Sequence, residues 1–584
     1  MAIVMVADQS EAFVNRSPIL ITSNSMFDGD HGVTDGSGTS EDPWVISNWN
    51  ISGDASNAIE IRNTTDYFVI RNVYLHASTF WNDKIGVCLF NVTNGAVDAS
   101  FISGEFEHGI HVQNCTNVVA SSNSISHIDS ISGICVDYSS YVTVSSNNVS
   151  SCDREIRIVD SNNCSVHDNN LTNSLSGKGI ETYNVDNTTV FNNTLDTIQY
   201  GLYLIGPGTT NLTVTGNEIF NCSGGGLFAT ASYINISGNH LEYTGMGFQT
   251  TVGVRVLNNT FTNMGSTSAI MLHTSTNATL RGNNLTSTGI DFVANSKEHY
   301  SSHTITTDNV VNDRPIRYLR DCTGISLDGE STGQLILANC TDAEIRNLEL
   351  TSGYVGMIVG YSENVEIDSC NLSGNSQHNI LFQRAENVSV SRCRIHDAGL
   401  YGVLSYGFVT NLTLANNTIR NSGNDGVRID YTTQVNITGN SISRNGFNCY
   451  GIEVYQCNWG NISENNIFDN YVGLRLSIGT TNFRVFHNNF INNTYQAWDV
   501  LSNTWDDGYP SGGNYWDDYT DWDNNTDGIW DNPYVIDENS QDDYPLVEPI
   551  PEFSDIVMPV IVLLGLMMVI RRSRKRNSKG DGEG

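Results

Sequence analysis

The chain has 584 residues, only 16% of them charged, and a formal net charge of −35. That balance supplies no basic track for phosphates, which excludes nucleic acid as a partner. A chain of this length implies several domains unless a repeat lets one core grow along an axis.

The N-terminus opens on "MAIVMVA", which is apolar but short and lacks the basic flank of a secretory leader. Residues 1–57 are read as an N-terminal segment and cap with a truncated secretory start. From residue 58 one phrase recurs: "GIHVQNCTNVVASSNSIS" from Gly109, "GLYLIGPGTTNLTVTGNEIF" from Gly201 and "GVRIDYTTQVNITGNSIS" from Gly426. Each unit is a glycine, a short strand, a polar turn, a second strand, an Asn-containing turn and a third apolar pair. Apolar residues alternate with polar ones, which is a strand signal.

The middle residue of the first strand runs Cys88, His111, Cys135, Arg157, Glu181, Tyr203, Phe228, Gln249, Met271 and Asp291. It resumes as Ile336, Ile358, Leu381, Leu404, Arg428, Glu453 and Arg475, at steps of about 20–25 residues. Strands this short find no partner within their own unit and must pair with their counterparts in the next. The predicted fold is all-β, a right-handed parallel β-helix of about eighteen coils. It falls into two blocks, 58–296 and 335–504, with a linking segment at 297–334. Asn217, Asn239, Asn259, Asn440, Asn466 and Asn489 recur where the chain bends and are assigned to left-handed turn positions.

Outward strand positions are where chemistry has room. "IETY" presents Glu181 and Tyr183, and "IEVY" presents Glu453 and Tyr455. Asp137, Glu181 and Glu453 are the candidate catalytic carboxylates. Asp137 and Glu181 are placed about 9–10 Å apart by coil spacing, at the upper end of the separation used by inverting glycosidases. Arg157, Tyr183, Tyr203 and Phe228 around them are the candidate carbohydrate contacts, the aromatic rings serving to stack on a pyranose. Catalytic signatures of the polygalacturonase and alginate-epimerase types are absent, and alternating charge on neighbouring strands also serves to stabilise a sheet.

Twelve cysteines are spread along the chain with no C-x-x-C pair and no methionine cluster. Cys370 and Cys393 lie one coil apart, as stacked core residues would. His108, His111 and His127 could converge on a metal, but three surface histidines are the favoured reading, so copper is not expected. Asn-x-Ser/Thr sequons number about two dozen and suit a glycosylated surface protein as well as an Asn-rich repeat.

After the repeats comes an acidic, aromatic segment, 505–550. "DNNTDG" at 523–528 matches the first half of an EF-hand-type loop, with Asp523, Asn525, Asp527, the Ile529 carbonyl and Asp531 as candidate calcium ligands. The twelfth position is Tyr534 instead of Glu. Trp505, Trp516, Trp522 and Trp530, with Tyr515 and Tyr519, are assigned to plug the last coil. An apolar run at 556–570 is followed by "RRSRKRNSKG", the pattern of a membrane anchor with a cytoplasmic tail.

The repeats, the linking segment "DNVVNDRPIRYLRDCTGISLDGESTGQLILANCT" and the C-terminal "GGNYWDDYTDWDNNTDGIWDNPYVID" together resemble the NosD-like and CASH group of right-handed β-helix proteins, the latter named for carbohydrate-binding proteins and sugar hydrolases. "PEF" at 551–553, within a segment read as 551–576 and followed by a tail at 577–584, looks like the sorting signal of archaeal surface proteins. The resemblance implies a surface-anchored protein that binds envelope or extracellular carbohydrate, or serves as a structural or adhesive partner to neighbouring surface proteins. A polysaccharide hydrolase or lyase is the alternative, and a copper-related role is the third.

Overall fold

A computed structural model describes residues 13–78, 83–128 and 131–551. The leader-like start, the apolar run at 556–570 and the basic tail lie outside the described residues. Among the described residues no helix is long and apolar enough to cross a membrane. The chain divides into two compact units, one ending at Tyr318 and the next beginning at Leu319.

In the first unit every coil turns through three strands. A representative coil is His108–Gln113, Val119–Ser121 and Ser124–Ser126, after which Ser132–Asp137 starts the next. Pairing is parallel and in register: Ile110 with Ile134, Ala120 with Val144, Ile125 with Val149. The inward residue of each pair is buried, so the core is a set of aliphatic columns. First strands form a twelve-stranded sheet from Ile19–Ile21 to Ile290–Val293. The second unit has the same plan with a longer second strand, as in Val355–Gly360, Glu363–Asp368 and Asn371–Ser373, and its second and third strands form eight-stranded sheets.

There are more coils than the sequence suggested because the solenoid begins inside the segment assigned as a cap. Ile19 pairs with Ile59, Trp44 with Phe68 and Asn50 with Tyr74. The linking segment holds the unit boundary. Val310 and Val311 extend a sheet of the first unit, then Asn312 and Asp313, both at positive φ, turn the chain back so that Arg314 faces Val311. Two consecutive positive φ values are what a tight hairpin turn requires.

The repeated glycine has a direct cause. A Cβ on Gly109 would stand 2.6 Å from the Gly133 carbonyl oxygen of the next coil. The repeated asparagine works differently from the sequence expectation. The left-handed residue is the one before it (Asn192, Gly216, Gly238, Asn258), while Asn193, Asn217, Asn239 and Asn259 turn inward and are buried. Each inward side chain accepts through Oδ1 from its neighbour's backbone N–H and Nδ2, as Asn217 does from Asn193 at 3.0 and 2.9 Å. It also donates through Nδ2 to the coil beneath, as Asn217 does to the Val190 carbonyl at 3.0 Å. The ladder runs from Asn123 to Asn309 in the first unit. In the second unit it runs from Asn417 to Asn514, so Asn465 and Asn488 are the ladder residues and not Asn466 and Asn489. Cys370 and Cys393 fill ladder positions below Asn417, with the Cys370 N–H donating to Cys393 Sγ at 3.4 Å.

The last coil is closed by aromatics hung on two buried carboxylates. Phe490, Trp516 and Tyr534 stack at 4.4 and 4.1 Å between ring centroids. Trp505 Nε1 donates to Asp499 at 3.0 Å and Trp516 Nε1 to Asp542 at 2.9 Å. Trp522 is not part of this plug; it is 73% exposed. Asp542 also accepts the Asn514 N–H at 2.7 Å, which makes it the terminal rung of the ladder.

Burial pushes the Asp542 carboxyl up to about 7. A raised folded-state value means that its stabilising contribution is complete below the unfolded value near 4 and is lost as pH rises through about 7. Resistance to thermal unfolding is therefore expected to fall between about pH 4 and 7, by as much as ~4 kcal/mol at the cap. Asp542→Asn, which keeps an acceptor without the charge, should flatten this dependence. A wild-type pH profile that the substitution leaves unchanged would refute the assignment.

Candidate functional site

In the first unit the outward positions of the first strands form one column: Cys88, His111, Cys135, Arg157, Glu181, Tyr203, Phe228, Gly247, Met271 and Asp291. It is the column read from the sequence with one correction. Gly247, not Gln249, stands above Phe228, because the strand-initial glycine of that coil is Gly245 and the inward residues are Met246 and Phe248. A Cβ at Gly247 would meet only Phe228 Cδ2, at 3.8 Å, so this rung is bare.

The lower part of the column holds a group whose two histidines the sequence offered as able to converge, with a cysteine where His127 was named. His108, His111 and Cys135 place one ligand atom each within 4.8 Å of one another, the one such His/Cys/Asp/Glu group among the described residues. His127 is exposed on the turn after its strand and takes no part. The convergence is across coils, His111 pairing with Cys135 at 24 residues' distance, so no C-x-x-C spacing announces it. His108 Nδ1 contacts Ser132 Oγ at 2.7 Å and His111 Nε2 contacts Asp137 Oδ2 at 3.0 Å, leaving the other ring nitrogens as donors. Burial lowers the His108 imidazole to about 3 and raises the Cys135 thiol to about 12.

Above it lies an ion network. Arg157 Nη1 is 3.6 Å from Asp137 and 3.8 Å from Cys135 Sγ, and its Nε is 3.5 Å from Glu181. Glu181 also pairs with Arg154 Nε at 2.6 Å and with Lys178, and Arg154 pairs with Asp153. Glu181 was expected to stand open to solvent; it is 6% exposed, because these three basic side chains cover it. Burial pushes both carboxyls up, but His111 and Arg157 at Asp137, and Lys178 and Arg154 at Glu181, outweigh it and hold both below the usual range. Next come Tyr203 and Phe228, stacked at 5.2 Å and 19°, with Lys178 Nζ 3.9 Å from the Tyr203 ring centroid. Tyr183 is 39% exposed in the adjacent outward column, on Val159.

The second unit repeats the motif. Glu453 is buried between Arg428 and Arg475, Arg428 Nε also holds Asp430 at 2.7 Å, and the Arg475 guanidinium lies 5.3 Å from the Trp498 ring. Glu453 is thus the centre of an ion cluster. The acidic loop is built differently again. Asp523 Oδ1 and Oδ2 accept the Asp527 and Gly528 amides at 3.2 and 3.1 Å, Asn525 accepts Asp527 N–H at 3.1 Å, and Asp527 accepts Ile529 N–H at 3.0 Å. Asp531 is engaged by Asn524, with N–H to Oδ2 at 3.1 Å. The five candidate calcium ligands are brought onto one loop, with these side-chain oxygens turned to the loop's own amides.

The family model described as periplasmic copper-binding protein (NosD) matches residues 36–212 and 301–521, and that of the right-handed β-helix region matches 178–341. The chain is 29% identical over 140 residues to the probable ABC transporter binding protein NosD of Stutzerimonas stutzeri, covering 22% of this chain and 32% of that protein. It is 29% identical over 156 residues to the protein of the same description in Pseudomonas aeruginosa, covering 27% and 33%. It thus spans about a third of the curated relatives it matches. Among solved structures, the tailspike protein of E. coli bacteriophage HK620 in complex with a pentasaccharide is similar at TM-score 0.38 and 13% identity, covering 58% of this chain and 68% of that one. DFA-IIIase from Arthrobacter chlorophenolicus is similar at 0.34 and 14%, covering 46% and 79%.

If Glu181 is the keystone of its network, Glu181→Ala leaves three basic groups packed around an empty centre. The expected cost is about 3–5 kcal/mol, the range for breaking a buried pair. Glu181→Gln should cost less. Both are read from denaturant midpoints; an alanine variant as stable as wild type would remove the structural role.

Proposed function

The chain belongs to the NosD family, and we propose that it is an extracytoplasmic β-helix protein that holds a monovalent copper ion through His108, His111 and Cys135. The observation that carries the reading is the convergence of two imidazoles and a thiol in a buried part of the outward column. Imidazole and thiolate together suit a soft cation. Ser132 and Asp137 engage one nitrogen of each ring and so fix its orientation, the supporting arrangement that metal-binding histidines use.

Charge selects the valence. Asp137, Asp153 and Glu181 balance Arg154, Arg157 and Lys178, so a Cys135 thiolate leaves one negative charge over. A monovalent ion cancels it. A divalent ion overshoots in a buried site beside the Arg157 guanidinium, where excess charge is expensive. The apolar run and basic tail at the C-terminus support an anchored protein with both units outside the cell membrane.

The test is competition between the purified full-length protein and a chromogenic copper(I) chelator. Wild type should retain one copper(I) per chain and little zinc, while Cys135→Ser and the His108→Ala/His111→Ala pair should lose the ion. Equal retention by these variants, or none by wild type, would overturn the reading.

A second reading, carbohydrate contact by the same column, is favoured by the bare rung at Gly247. It leaves space beside Phe228 at the end of a parallel aromatic pair, where the C–H face of a sugar ring can stack. On a glycan array, Phe228→Ala should weaken retention and Gly247→Leu, which fills the space, should abolish it. Retention unchanged by both would dismiss this face.

A further inference from the structure

We propose that the third-strand face of the second unit holds a binding site for an anionic sugar residue, one bearing a carboxylate or sulfate, between Arg394, Arg420 and Arg444. The inference is independent of the copper reading and rests on a different unit.

The geometry follows from two outward columns. One runs Asn371, Arg394, Thr418, Ser441 and Asn466; the other runs Ser373, His396, Arg420, Ser443 and Phe468. Large side chains stand at both ends, Arg394, His396 and Arg420 at one and Phe468 at the other. Between them the rungs carry only the hydroxyls of Thr418, Ser441 and Ser443. The result is a cavity of about 380 Å³ that these residues line together with Arg444.

No carboxylate lines this cavity, in a chain with 63 acidic and 28 basic residues. Asp469 is committed to Arg444 at 3.3 Å and Asp397 to His396 at 2.7 Å. Arg394 and Arg420 are exposed and have no carboxylate within ion-pairing distance among the described residues; Asp397 acts on Arg420 only from beyond that distance, so both guanidinium groups keep N–H donors for a ligand in the cavity. Guanidinium groups bind carboxylate and sulfate through paired N–H donors. The hydroxyl floor matches sugar hydroxyls and Phe468 offers an apolar wall for the ring, which a bare inorganic anion would not use.

The experiment measures binding of the full-length protein to immobilised polygalacturonate, dextran sulfate and neutral dextran, with inorganic sulfate as competitor. The two acidic polymers distinguish carboxylate from sulfate. Wild type should bind at least one of them, weakly sensitive to millimolar sulfate, and not neutral dextran. Arg394→Ala/Arg420→Ala should weaken binding by about tenfold or more, the scale of losing two charge-assisted contacts. Arg71→Ala/Arg281→Ala, which removes the same charge from exposed positions of the first unit, should change it less than about twofold. An equal loss in both variants, binding of neutral dextran at the same strength, or no binding by wild type would each overturn the proposal. Since neither pair touches His108, His111, Cys135 or Phe228, failure here is separable from failure of either reading above.

Discussion

A coil built of three- to six-residue strands has no hydrogen-bond partners of its own, so its tight turns put backbone amides into the core with nothing beneath them to accept. The inward asparagine supplies that acceptor. In the stretch from Asn147 to Asn309 each side chain takes a backbone N–H and a side-chain N–H from one neighbour while giving its own N–H to a carbonyl of another. An unpaired buried amide costs more than a formed one returns, so every rung makes the next obligatory. The ladder is therefore self-propagating. It can stop only where some other acceptor stands ready.

That requirement explains the chemistry of the cap. The final rung has to accept the Asn514 amide, the Trp516 indole and the Tyr544 N–H at once, and it has nothing above to donate to. A carboxyl offers two acceptor oxygens and no amide N–H that would be left without a partner, which is why Asp542 takes the place of a further asparagine. Asp499 does the same for Trp505 and the amides of Leu501 and Asn503. Gly513 is forced by the same crowding, since a Cβ there would stand 1.8 Å from Asp542 Oδ1.

The period, the parallel stacking and the inward aliphatic columns were legible in the sequence because each is a local pattern repeated many times. Other features were not, and the reasons are physical. The asparagine's role was misread because its spacing alone does not tell a left-handed residue from the one after it, which turns inward. Gly247 was misplaced because "GMGFQ" offers two glycines and only the burial of Met246 and Phe248 decides between them. The solenoid's first coils were missed because Ile19–Ile21 and Trp44–Ser47 lack the glycine-led phrase, although they pair in register with it. Trp505 and Trp516 were correctly singled out for the plug. Composition could not separate them from the exposed Trp522, since the difference lies in the buried carboxylate each indole reaches.

That Cys135, and not His127, joins His108 and His111 was not legible for a deeper reason, one that also bears on what the group can do. Its members meet because the ladder and the aliphatic columns fix the register between coils, so residues 24 apart become neighbours at the strand spacing of about 4.8 Å. Two donors on adjacent rungs at that separation can be joined by an ion with bonds of about 2.0–2.3 Å and little backbone movement, with His108 closing the third side from the same strand as His111. The inner constraint thus does the positioning, and the outward residue needs only the right donor atom. Because inner and outer faces alternate strictly, the outer columns are free to vary without disturbing the rungs that hold them. The same scaffold then carries a buried thiol–imidazole group low on one column, a neutral ion network above it and an aromatic pair beyond that, each the consequence of a single side-chain choice per coil.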